Sequence, residues 1–150
     1  MLLDATGINV RYGRNHAVRD VDISIEDGEI ITVLGANGAG KSSLLKALSG
    51  TEKFDGSIMF DGTEISGWSP PRRVQAGMVL VPEGRQIFVS LTVHENLLLG
   101  AYCRTEDVTA EAEAIYERFP NLAERRTLLA SVLSGGEQQL LAISRAMLAK

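Results

Sequence analysis

Gly35-Ala36-Asn37-Gly38-Ala39-Gly40-Lys41-Ser42 is the stretch of this sequence best equipped to do chemistry. Its glycines let the backbone curl without β-carbons in the way, so that successive N–H groups can face an anion. Lys41 adds a full positive charge, and Ser42 adds a hydroxyl oxygen of the kind magnesium takes beside phosphate oxygens and water. The spacing is G-x-x-x-x-G-K-[ST], the phosphate-loop pattern, in which the lysine serves the β and γ phosphates of a nucleoside triphosphate. Gly35, Ala36, Asn37, Gly38, Ala39, Gly40, Lys41, Ser42 and Ser43 are therefore the candidate nucleotide contacts. A second glycine cluster, Ser134-Gly135-Gly136-Glu137, combines a serine N-cap with backbone donors left open at a helix start, which is again an anion-binding arrangement. Standing alone, it reads equally well as a well-capped helix.

The elements around these clusters decide how they are read. Leu2 to Tyr12 and Val18 to Ile25 alternate apolar with polar residues, the period of half-buried strands. Asp27-Gly28 is a turn dipeptide leading into Ile30-Ile31-Thr32-Val33-Leu34, an apolar run that predicts a strand covered on both faces. Helical spacing follows from Lys41 to Leu48, and Gly50 stands where a helix would stop. Strand, glycine loop and helix is the context that a phosphate loop requires. Ser57 to Phe60 predicts a small strand ending in an Asp61-Gly62 turn, and Ser69-Pro70-Pro71 opens a short helix ended by Gly77. Met78-Val79-Leu80-Val81 predicts a second core strand. Helices dominate afterwards: Thr92-Val93-His94-Glu95 is a capping box, Thr109 to Phe119 keeps helical spacing before Pro120, and Ser134 opens a last helix through Leu140, Leu141, Ile143 and Met147. His16 and His94 read as solvated bystanders.

Composition sets the outer bounds. In 150 residues, 15 Lys plus Arg against 19 Asp plus Glu give a net charge of −4, which argues against a general nucleic-acid binder. Cys103 is the single cysteine, so neither an internal disulfide nor a structural zinc site is expected. Met1-Leu2-Leu3-Asp4 lacks the features of a secretory leader, and no apolar run approaches the ~18 residues needed to cross a bilayer. A chain neither secreted nor membrane-spanning is expected.

Leu133-Ser134-Gly135-Gly136-Glu137-Gln138-Gln139 resembles the signature sequence of ATP-binding-cassette (ABC) proteins. The likeness extends over the whole chain and is nearest to the ATP-binding subunits of bacterial branched-chain amino-acid importers. It is carried by Tyr12-Gly13, the phosphate loop, Val81-Pro82-Glu83-Gly84-Arg85, Leu91-Thr92-Val93-His94-Glu95-Asn96-Leu97 and Phe119-Pro120-Asn121-Leu122-Ala123-Glu124-Arg125-Arg126. The resemblance implies an α/β fold: a P-loop NTPase core of the ABC type with an antiparallel β portion and a helical subdomain, its parallel sheet incomplete. Residues 1–150 would form part of one nucleotide-binding domain, with the β portion and phosphate-loop core over about 1–90 and the helical subdomain over about 91–150. ATP and magnesium are the implied cofactors. Tyr12 would stack on adenine, the alternative being an edge-strand tyrosine packed on the sheet. Glu83 stands where most of the superfamily has glutamine and would be the metal-facing residue with Ser42; Gln86 is the other candidate. Ser134 and Gly136 would serve the γ-phosphate held by Lys41 of a second subunit, so that two ATP molecules lie in a head-to-tail dimer. The implied partners are that subunit, integral-membrane permeases and, indirectly, an extracytoplasmic substrate-binding protein. The implied place is cytoplasmic, on the inner face of the membrane.

In the family, the signature helix is followed by an apolar strand ending in Asp-Glu and then by a switch histidine, none of which precedes Lys150. The expectation is a partial ATPase whose isolated turnover lies near background. Urea or amide importers would share most of these motifs, and soluble ABC ATPases or small-metabolite kinases are the other classes. A kinase has no use for the second glycine cluster.

Overall fold

The computed structural model describes residues 1–149, which form two compact units, Met1–Val74 and Gln75 onward. In the first unit, β1 (Leu3–Tyr12), β2 (Asn15–Ile25), β3 (Asp55–Phe60) and β4 (Thr63–Glu64) make an antiparallel sheet in the order β2-β1-β3-β4. β1 and β3 are the inner strands, and β1 joins the two long ladders, pairing Leu3 with Ile25 on one side and with Phe60 on the other. Its buried residues are Leu3, Ala5, Ile8 and Val10, so the alternation slips by one after Ala5. A bulge absorbs the slip. Gly7 at φ +63° donates its N–H to Asp22 Oδ1 (2.7 Å), and the extra residue returns Ile8 and Val10 to the core face. Asp61 and Gly62, both at positive φ, form the expected turn between β3 and β4.

α1 (Lys41–Ser49) packs on β1 and β2 through Leu44, Ala47 and Leu48. Gly50 ends it as expected, in the left-handed conformation, donating to Ala47 O and Lys46 O. α2 (Pro70–Gln75) begins directly after Ser69.

The second unit gathers α3 (Val93–Leu98), α4 (Thr109–Arg118), α5 (Pro120–Ala123) and α6 (Gly135–Met147). Their core holds Val93, Leu97, Ile115, Tyr116, Leu122, Leu133 and Leu141. Both predicted capping boxes form: Thr92 and Ser134 accept from the N3 backbone N–H, while Glu95 and Glu137 accept from the cap backbone N–H. From α3 onward every regular element among the described residues is helical. Buried Asn96 ties the preceding loop to α3, accepting from Phe88 N and donating to Phe88 O, each at 2.8 Å.

Three expectations need correction. Ile30–Leu34 and Met78–Val81 form no β ladder among the described residues, and the sheet that does form is wholly antiparallel. A strand exists only through a hydrogen-bonded neighbour. Ile30 and Leu34 lie 93% and 86% exposed instead of covered. His94 is no bystander: its Nδ1 lies 2.9 Å from the Tyr116 hydroxyl, with the two rings stacked. His16 likewise pairs with Asn9, Nε2 to Oδ1 at 2.8 Å.

Candidate functional site

The hairpin β1–β2 delivers the first group. Tyr12 and Asn15 pair across the two-residue turn Gly13-Arg14, which puts Tyr12 at the tip of the sheet. Its hydroxyl donates to Ser43 Oγ (3.2 Å) in the first turn of α1, and the residue stays 42% exposed. Tyr12 and the start of the phosphate-loop helix are therefore neighbours although 31 residues apart in sequence. A half-exposed aromatic face beside a helix N-terminus suits a flat base attached to phosphates.

The loop reaches α1 through two left-handed residues, Gly38 at φ +82° and Gly40 at φ +97°. Glycine is obligatory at position 40 for a second reason. A β-carbon there would lie 2.2 Å from Ala17 O on β2, so the loop end approaches the strand backbone as closely as a chain can. Ala39 N donates to Ala36 O (3.0 Å) and Leu44 N to Gly40 O (2.9 Å), closing the loop onto the helix. Lys41 is the first residue of α1, and its Nζ donates to Gly35 O (2.6 Å) and Ala36 O (2.9 Å). The ammonium is thus held against the first residues of the same loop. Ser42 and Ser43 follow in the first turn. No acid lies in that turn, so the positive end of the helix dipole is left for an anion. A cavity of about 600 Å³ opens here, lined by Gly38, Gly40, Lys41 and, from β2, His16 and Arg19.

The second group belongs to the second unit. Ser134 is the N-cap of α6 and Gly136 its second residue, with a Cβ at Gly136 meeting open space. Glu137 Oε2 accepts Ser134 N–H (2.8 Å) and Glu137 Oε1 accepts from Arg125 Nη1 (2.5 Å). These bonds, the Ser134 backbone first, hold the Glu137 carboxyl below its ordinary range.

Glu83 precedes Gly84, Arg85 and Gln86, three consecutive residues at positive φ. Positive φ at two non-glycine residues in succession is uncommon and is held by contacts with α6. Arg85 Nη1 donates to Gln138 Oε1 (3.1 Å), its guanidinium lies against Gly135, and Arg145 Nη2 donates to Gln86 O (2.9 Å). Gln86 is therefore engaged through its backbone by α6. No sequence pattern places Arg85 beside the signature glycines, because its bond to Gln138 spans 53 residues.

Among the described residues, no group of three or more His, Cys, Asp or Glu could hold a metal ion. Ser42 and Glu83, the two residues expected at magnesium, each carry a hard oxygen of the type that ion takes.

A glycine loop that turns onto a helix N-terminus with a lysine at its first position defines a phosphate-loop nucleotide-binding fold. Comparison with known proteins makes this specific: the ABC transporter family matches residues 18–150, and the chain belongs to that family. It is 40% identical to the high-affinity branched-chain amino acid transport ATP-binding protein of Pseudomonas aeruginosa, covering 99% of this chain and 65% of that protein. The probable branched-chain amino acid transport ATP-binding protein of Archaeoglobus fulgidus is 36% identical, over 99% of this chain and 64% of its own length. Among solved structures, a nucleotide-free ATP-binding cassette from an ABC transporter superposes with a TM-score of 0.83 at 27% identity, covering 99% of this chain and 65% of the other. The chain thus spans a little under two thirds of these proteins' length.

Proposed function

We propose that the chain is part of the ATP-binding subunit of an ABC importer that couples ATP binding and hydrolysis to uptake of branched-chain amino acids. One observation carries the nucleotide part: Lys41 at the N-terminus of α1, with its ammonium on the loop formed by Gly35 and Ala36. The loop N–H groups and Lys41 hold the phosphates, Tyr12 offers its ring to adenine, and Ser42 with Glu83 would hold magnesium, which when bound offsets phosphate charge. Residues 1–150 are taken as one partial nucleotide-binding domain, its helical subdomain starting at about residue 91.

Ser134 and Gly136 at the start of α6 serve the phosphate bound to a second subunit, head to tail: the backbone N–H groups of Gly135 and Gly136 open that helix, and Arg125 offsets the charge of its first-turn acid, Glu137. Permease subunits and an extracytoplasmic binding protein complete the importer, and the subunit sits on the inner face of the membrane. The amino-acid substrate is supported by the names of the two relatives, and transport itself by the family.

The test is an equilibrium titration of the chain with magnesium-ATP beside Lys41→Ala. Saturable binding lost in the variant supports nucleotide capture; binding indifferent to Lys41 overturns it. Replacing Ser134 by Arg separates the classes: a cassette pair loses ATP-dependent association, whereas a kinase keeps its activity.

A further inference from the structure

Arg73 has no part in this reading, yet it is the largest fully buried side chain among the described residues, at 1% exposure. Its guanidinium reaches three segments. Nη1 donates to Ala47 O (3.2 Å) and Leu48 O (2.6 Å), Nη2 to Ser66 O (3.0 Å) and Nε to Trp68 O (3.3 Å), while the Phe54 ring lies 5.6 Å away. Every one of these acceptors is a neutral carbonyl, and none of the ion pairs found includes Arg73. Burial accordingly lowers its pKa.

A buried guanidinium is expensive to desolvate, and an apolar side chain could fill the same volume. What an apolar side chain lacks is donors for the last carbonyls of α1, the negative end of that helix: Arg73 adds a second donor to Ala47 O, which Gly50 N–H also caps, and a short bond to Leu48 O. Gly50 makes the approach possible: a β-carbon there would stand 2.8 Å from Arg73 Nε. The helix is therefore held at both ends, by the Gly40 contact with Ala17 O and by the Arg73 clamp.

We propose that Arg73 is the positioning residue of the phosphate loop. By clamping Ala47 O and Leu48 O it fixes the direction of α1, and with it the place of Gly40 and Lys41 at the far end. The inference rests on the nucleotide reading of that loop. α1 has nine residues. At ~1.5 Å per residue, a tilt of about 5° at one end moves the other by roughly 1 Å, a displacement that binding geometry registers.

The experiment compares the parent chain with Arg73→Met and Arg73→Lys by two readouts. The first is amide hydrogen exchange at Leu44 and Gly50, whose N–H groups bond to Gly40 O and Ala47 O, set against the β1–β2 ladder. The second is the magnesium-ATP titration. Met keeps volume without donors; Lys keeps charge but a single ammonium cannot span four carbonyls. The expected result is exchange in α1 at least ~10-fold faster with the ladder unchanged, ATP affinity ~10-fold weaker or more in Arg73→Met, and Arg73→Lys in between. Parent-like exchange and affinity in a folded Arg73→Met overturn the proposal. So does acceleration spread evenly over sheet and helix, which would mark a general stabilising role. Should Arg73→Met fail to fold, Arg73→Lys carries both readouts. If the parent does not bind ATP, the nucleotide reading fails, while exchange in α1 still decides whether Arg73 holds the helix.

Discussion

The proposed function gives the Lys41 ammonium two jobs. Its bonds to Gly35 O and Ala36 O brace the loop, and the same charge would serve phosphate. Lys41→Ala is therefore expected to weaken magnesium-ATP binding by ~100-fold or more, measured by calorimetry, while circular dichroism stays that of the parent. Tyr12 separates into ring and hydroxyl. If the ring carries adenine, Tyr12→Phe keeps ATP affinity within ~2-fold despite losing the Ser43 contact, whereas Tyr12→Ala loses ~10-fold. Equal losses would assign the role to the hydroxyl. Glu83→Ala should flatten the magnesium dependence of nucleotide binding, and an unchanged dependence would remove Glu83 from the metal. At this scale the sequence was most informative, because a phosphate loop is local: all its donors lie within Gly35–Ser43. Arg73 and Arg85 were illegible for the converse reason. The α1 carbonyls that Arg73 reaches lie 25 and 26 residues away and Gln138 lies 53 from Arg85, and arginine has no spacing rule that points across such a distance.

At the scale of elements, caps and glycines carry the predictions. Gly40→Ala puts a β-carbon into Ala17 O at φ +97° and should destabilise the first unit by about 1–3 kcal/mol, read by chemical denaturation. Ser134→Ala removes the N-cap of α6 and should cost about 1 kcal/mol. The caps also set an acid limit. Hydrogen bonds from the Thr92 backbone lower the pKa of Glu95, and those from the Ser134 backbone that of Glu137. A carboxylate lowered in the folded state contributes stability that is fully present above its unfolded pKa and is lost as pH falls through its folded value. Helicity of the second unit should thus hold at neutral pH and fall on acidification below about pH 4, with Glu137→Gln showing a shallower fall from a lower start.

For the whole molecule, the consequential feature is the run that did not become a strand. Ile30 and Leu34 are almost fully exposed, and an apolar β-branched run without a ladder offers unpaired N–H and C=O groups together with apolar surface. Concentration-dependent self-association is expected in light scattering, and Ile30→Lys with Leu34→Glu should reduce it. An unchanged mass profile in the double variant would place any association elsewhere.

The sequence by itself determined what depends on neighbours along the chain: the phosphate loop and its helix, both capping boxes, the Gly50 stop, the Asp61-Gly62 turn and the ABC resemblance that the family match bears out. The structural features among these are set by φ preferences or by bonds within six residues, which a string of residue types records. Tertiary structure decided the rest. Whether Ile30–Leu34 pairs depends on a second backbone beside it, and apolar content cannot supply that neighbour. Which arginine enters the interior depends on where four carbonyls from separate segments converge, and only the folded first unit brings them to Arg73.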